Sequence, residues 1–159
     1  MIFENAHEIL KKIKQKEVSA QEVLESFLKQ VEAVNPSINA VVALDAERAL
    51  EKAKEADKKT ASNSKLGSLH GLPMTIKDAY EVEGIVSTGG NPAWQENIPK
   101  RNAEAVQRLV DAGAIILAKP MYLSFLQICK ALIKFTVPPI IHGIWKELQV
   151  GLLEVLQQL

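Results

Sequence analysis

Residues 114–117 read Ala-Ile-Ile-Leu, follow directly on Gly113, and carry no polar side chain to alternate with the apolar ones. A strand keeps such a run only when both of its faces are covered, so the run predicts an inner strand of a layered sheet. The preceding segment supplies a covering helix. Ala105, Val106, Leu109 and Val110 recur at helical spacing, with Asn102 placed to cap the start and Gly113 to end it. Strand and helix in this order are the grammar of an α/β chain.

The earlier residues fit the same class. Ile9, Leu10 and Ile13 after Asn5 predict a short first helix ending near Lys16. Ser19 with Glu22 three residues on is a capping box, and Val23, Leu24, Phe27, Leu28 and Val31 form one stripe of a second helix that Asn35-Pro36 is expected to stop. The two helices are expected to pair. Residues 38–44 form an apolar run read as a buried extended segment, and Asp45 caps an alanine-rich helix over residues 46–56. Residues 58–68 are polar and loop-like, residues 73–76 predict a short strand, residues 84–87 a further one, and residues 88–92 (Thr-Gly-Gly-Asn-Pro) a turn cluster.

Charge and composition narrow the function classes. Nineteen Lys and Arg against nineteen Asp and Glu leave no net field to concentrate nucleic acid or an anionic membrane, and 47% hydrophobic residues suffice for a core. No stretch approaches the roughly 20 apolar residues that span a bilayer. A single cysteine, Cys129, makes neither an internal disulfide nor a cysteine metal site. The start, with Glu4, His7 and Glu8, has no signal-peptide core, so the expectation is a cytoplasmic protein.

Lys77 is the candidate for chemistry, since it follows the apolar run of residues 71–76 and precedes Asp78. Desolvation at the end of a buried strand lowers a lysine pKa and leaves a neutral amine, the state a general base requires. The competing reading is that Lys77 reaches solvent or pairs with Asp78 or Glu81.

The segment Leu69-His70-Gly71-Leu72-Pro73-Met74-Thr75-Ile76-Lys77-Asp78, followed by Glu81-Val82-Glu83-Gly84 and the Ser87-Thr88-Gly89-Gly90 turn, resembles the first motif of the amidase signature family. Residues 31–44 are similar to that family's N-terminal helix and strand, and residues 102–117 to the helix and strand after the lysine motif, so the likeness covers most of residues 8–117. The resemblance implies the N-terminal part of an α/β/α fold, with a helical N-terminus followed by a mixed sheet with helices. It also implies hydrolysis or transfer of amides by a Ser, cis-Ser, Lys triad whose lysine is Lys77, acting on a small-molecule amide with no metal or organic cofactor. Stand-alone amidases and the aminoacyl-tRNA amidotransferase branch fit equally, and the acyl group is left open.

Beyond Leu117 the resemblance stops. Residues 118–159 contain no Asp, Asn or Arg and two acids, Glu147 and Glu154, amid Leu, Ile, Val and Gln. The family continues with a Gly-Lys-Thr-Asn segment, an Asn-Pro-Trp, and a glycine and serine block holding the bridging serine, with the nucleophile later. Here the only serine after Leu117 is Ser124, between Leu123 and Phe125.

A shift of reading frame accounts for the change. Read one base earlier, Met121-Tyr122 must encode Val, Trp145-Lys146 must encode Glu, and His142-Gly143 gives Trp or Arg. With permitted codons elsewhere, residues 118–123 become GKTNVP, and residues 128–159 gain Asn-Pro-Trp followed by GGSSGGS. The expected division is therefore 1–117 as the N-terminal part of an amidase domain and 118–159 as out-of-frame translation, in a chain without triad serines and inactive alone.

Taken as protein, the same tail predicts a helix around Leu123, Leu126 and Ile133, a break at Pro138-Pro139, and an amphipathic helix carrying Trp145, Leu148, Leu152, Leu153, Leu156 and Leu159. A separate class of function follows from that, a small non-catalytic helical protein that binds a partner through its N-terminal helices and apolar tail. An incomplete sheet also predicts exposed strand edges and self-association or aggregation. Cys129, His142 and Trp145 are read as accidents of frame, His7 as an exposed helix residue, and His70 as a turn histidine satisfied by backbone or a residue at a pocket mouth. Tyr80 and Trp94 are read as packing residues or substrate contacts.

Overall fold

The computed structural model describes residues 4–62 and 64–120 of the 159. The elements are α1 (Ala6–Lys14), α2 (Ala20–Ile38), β1 (Val41–Leu44), α3 (Ala46–Ala61), β2 (Pro73–Thr75), a single 3-10 turn (Pro92–Trp94), α4 (Glu104–Asp111) and β3 (Ile115–Pro120). The strands form one mixed sheet in the order β1-β3-β2, β1 antiparallel and β2 parallel to β3. This is the α/β class that the apolar run predicted.

Local chemistry sets the helix starts. Asn5 and Ser19 accept from the backbone N–H groups of Glu8 and Glu22, whose carboxylates return the bond, so α1 and α2 both open on capping boxes. α2 is tied further by Asp57 of α3, whose carboxylate accepts from the N–H groups of Ala20 at 2.7 Å and Gln21 at 3.2 Å. Those are two of the donors a helix start leaves open. Asp45 caps α3 by accepting from Arg48 N–H.

β3 is buried on both faces. Ile115, Leu117 and Ala118 pack with Ala20 and Leu24 of α2 and with Ala49, Ala53 and Ala56 of α3. Ile116 instead packs with Ile76, Val82, Ile85 and Val106. Alternate side chains of a strand point to opposite faces, and Ile115, Ile116 and Leu117 follow that rule between two clusters, whereas Ala118 joins the first cluster past the register shift opposite Met74 and Thr75. α1 and α2 pair, as expected, through Ile9, Ile13 and Val23 around Leu72.

Several boundaries differ from the sequence reading. α2 runs through Pro36, which costs only one late helical hydrogen bond, and ends at Asn39 in the left-handed region (φ 46°). Asn35 bonds both backbone groups of Val41 through its side chain. β1 is shorter than residues 38–44 and half-exposed, because it is an edge of the described sheet; Val42 and Leu44 are each 47% exposed. α3 continues to Ala61, five residues past the expected end, so part of the expected loop is helix. Residues 84–87 make one isolated bridge, Val82 to Ile85, rather than a strand. Asn102 does not cap α4; it accepts from Glu83 N–H at 2.8 Å and donates to Gln107, and Ala103 takes the cap position without a side-chain bond. β3 extends to Pro120, three residues beyond the predicted strand.

Candidate active site

β2 leads from Pro73 to Thr75 and delivers residues 76–78 beside the end of β3. Ile76 N–H donates to Ala118 C=O at 3.0 Å and Asp78 N–H to Pro120 C=O at 3.1 Å, so the two bonds bracket Lys77. Ile76 and Asp78 are buried whereas Lys77 is exposed, the alternation of an extended chain. The sequence reading left two outcomes for Lys77, a desolvated amine at the end of a buried strand or a side chain that reaches solvent, and the structure gives the exposed one. The buried lysine is Lys119, at the end of β3, because Lys77 falls on the outward position of the alternation.

Lys119 Nζ lies 2.9 Å from Asp78 Oδ1 and also donates to Ser87 Oγ. Thr88 gives Asp78 two more donors, its N–H to Oδ1 at 3.1 Å and its hydroxyl to Oδ2 at 2.5 Å. The Thr88 hydroxyl in turn accepts from Gly90 N–H, and Gly89 N–H donates to Asp78 C=O. Gly89 and Gly90 both have positive φ, which lets the turn fold back on Asp78. Burial works to raise the Asp78 pKa; the Thr88 hydroxyl, the Lys119 ammonium and the Thr88 amide outweigh it and hold the carboxyl below its ordinary value. Ser87 is fixed by donating to Ile85 C=O and by backbone and side-chain bonds with Asn97.

The remaining candidates scatter. Tyr80 and Trp94 are exposed near the turn, and His7 is exposed on α1. His70 is buried, its Nε2 3.0 Å from Thr60 Oγ1 and 3.1 Å from Ala56 C=O, which fits the backbone-satisfied reading rather than a pocket mouth. Ser124, Cys129, His142, Trp145 and both predicted tail helices lie outside the described residues. Among the described residues no group of three or more His, Cys, Asp or Glu is placed to hold a metal, and no helix is long and apolar enough to cross a membrane.

Sequence reasoning missed Lys119, and it took Ser87 and Thr88 as part of the turn motif without assigning them a role. A charged residue ending the apolar run of β3 was the available signal, the same signal that singled out Lys77.

The amidase family profile matches residues 22–138, more than half of the chain and running past Leu117. The chain belongs to the amidase family. It is 39% identical to an acylamidase of Rhodococcus erythropolis over 115 residues, 72% of this chain and 24% of that protein. It is 40% identical to a glutamyl-tRNA(Gln) amidotransferase subunit of Thermoanaerobacter pseudethanolicus, over 71% of this chain and 23% of that one. Among solved amidase structures, a bacterial aryl acylamidase of the amidase signature family superposes with a TM-score of 0.69 at 27% identity, covering 74% of this chain and 25% of that one. The native peptide amidase of Stenotrophomonas maltophilia gives 0.70 at 27% identity, covering 74% and 24%. The chain thus spans about a quarter of the length of these amidases.

Proposed function

We propose that this chain is the lysine-bearing N-terminal portion of an amidase that cleaves the carbon–nitrogen bond of a small-molecule amide in the cytoplasm, with Lys77 as its base. One observation carries the assignment: Lys77 is the exposed residue of a segment whose two neighbours are both buried and hydrogen-bonded to β3. A base must meet its partner with defined geometry, and a side chain leaving a fixed backbone does so. In the complete site the neutral Lys77 amine takes a proton from the bridging serine, which takes one from the nucleophilic serine as it adds to the amide carbonyl. Backbone amides hold the oxyanion, the proton returns from Lys77 through the bridging serine to the leaving nitrogen as the carbon–nitrogen bond breaks, and water then cleaves the acyl-serine to release the acid and free the nucleophile.

We propose further that residues 118–159 are read out of frame after the loss of one base at the Leu117 to Ala118 junction. The 159 residues as written then supply the base without the glycine and serine block, and their expected turnover is nil. Support comes from the forced codons; the alternative frame, GKTNVP, also has lysine at position 119, so the buried partner of Asp78 is the same in both readings.

Sequencing the DNA across the codons for Leu117 and Ala118 tests the frame. The expected result is a reading frame one base away that spells GGSSGGS; codons that forbid the string overturn it. The frame-restored protein tests the chemistry, with amide turnover expected and lost in Lys77→Ala. Turnover that survives Lys77→Ala rejects the base.

A further inference from the structure

We infer that Lys119 is a positioning residue for Lys77, acting through Asp78 as a buried electrostatic clamp; this rests on the reading of Lys77 as the base. Lys119 and Asp78 are 0% and 3% exposed, so the pair sits away from solvent. A buried pair persists only when its geometry is good and its remaining lone pairs are satisfied. Asp78 meets that condition with the Thr88 amide and hydroxyl, and Lys119 has Ser87 as a second acceptor beside the carboxylate. The carboxylate holds the turn at Thr88, the Asp78 carbonyl accepts from Gly89, and the Asp78 amide is bonded to the end of β3. Three segments therefore converge on the residue next to Lys77.

Asp78 faces inward and Lys77 outward by the alternation of the extended chain. A slip of one residue would exchange them, putting the lysine inside and the carboxylate outside. Lys119 opposes that slip, because its ammonium is compensated only when Asp78 is the inward residue.

Lys119 and Ser87 do not form a second lysine and serine catalytic pair. Lys119 Nζ is engaged by the Asp78 carboxylate at 2.9 Å, and the Ser87 hydroxyl proton is committed to Ile85 C=O.

The test uses the 159-residue chain and needs no turnover. Mass spectrometry after limited acylation reads the pH profile of amine reactivity at Lys77, with exposed Lys52 as internal reference. Amide hydrogen exchange reads the clamp. In the unchanged chain the amides of Asp78, Thr88 and Gly89 are expected to exchange as one unit. In Lys119→Met they should exchange at least about tenfold faster, and the Lys77 profile should shift while that of Lys52 stays. Lys119→Arg should restore part of both. The double variant Asp78→Asn with Lys119→Met removes both charges, and should fold with a shifted Lys77 profile.

An unchanged Lys77 profile in either folded Lys119→Met chain overturns the clamp, and so does separate exchange of the three amides in the unchanged protein. Neither outcome depends on whether Lys77 is a base, which the turnover of Lys77→Ala decides by itself.

Discussion

Replacing Lys119 by Met keeps the length of the side chain and removes its charge, leaving Asp78 buried opposite an apolar group. The carboxylate then retains the Thr88 amide and hydroxyl but loses the ammonium 2.9 Å away. Breaking a buried pair by removing one partner costs about 3–5 kcal/mol, and the two Thr88 donors place the expectation at the lower end, about 3 kcal/mol at pH 7. The penalty must depend on pH. In the parent the Asp78 pKa is lowered on folding, so its contribution is present above the unfolded carboxylate value of about 3.9 and is lost as pH falls through the folded value. In the variant, burial without the cation pushes the folded Asp78 pKa up from its position in the parent, so the difference between the two proteins narrows in acid. Urea unfolding of both proteins at pH 7 and again near pH 4 measures this difference. A loss under about 1 kcal/mol at pH 7, or a gap that does not narrow in acid, refutes the reasoning.

Three further outcomes follow from the packing. Asp57→Ala removes the acceptor for the Ala20 and Gln21 amides and should cost about 1–2 kcal/mol, read as a lower midpoint in thermal unfolding. Gly113→Ala should cost about 1–3 kcal/mol by the same assay, since φ is +96° and the new Cβ would stand 2.8 Å from the His70 Cα. Val42→Lys combined with Leu44→Glu places charges on the half-exposed β1, and should reduce self-association in light scattering with little change in the unfolding midpoint.

The parts of the fold that depend on neighbours in sequence were legible. The capping box of Ser19 and Glu22, the Asp45 cap and the apolar run of β3 need only residues a few positions apart, and each appears where it was expected. Errors arose where a distant contact competes with local preference. Asn102 has the chemistry of a cap, but the Glu83 amide offers its carbonyl oxygen a partner 19 residues away. Pro36 would end an isolated helix, yet α2 continues two residues past it before turning at Asn39, where Asn35 holds Val41.

The site divides along the same line. The Leu69 to Asp78 motif was enough to single out Lys77 and the amidase lineage, because it is one continuous stretch. Which lysine is buried was not contained in it. Lys77 and Lys119 both end apolar runs, and the alternation at residues 76–78 together with the approach of β3 decides that Asp78 turns inward to meet Lys119. By itself the sequence determined the starts of the first three helices, the inner strand and the family, all from local chemistry. Only the tertiary structure decided the buried ion pair, since a charge stays in the interior only where folding brings its partner from 41 positions away.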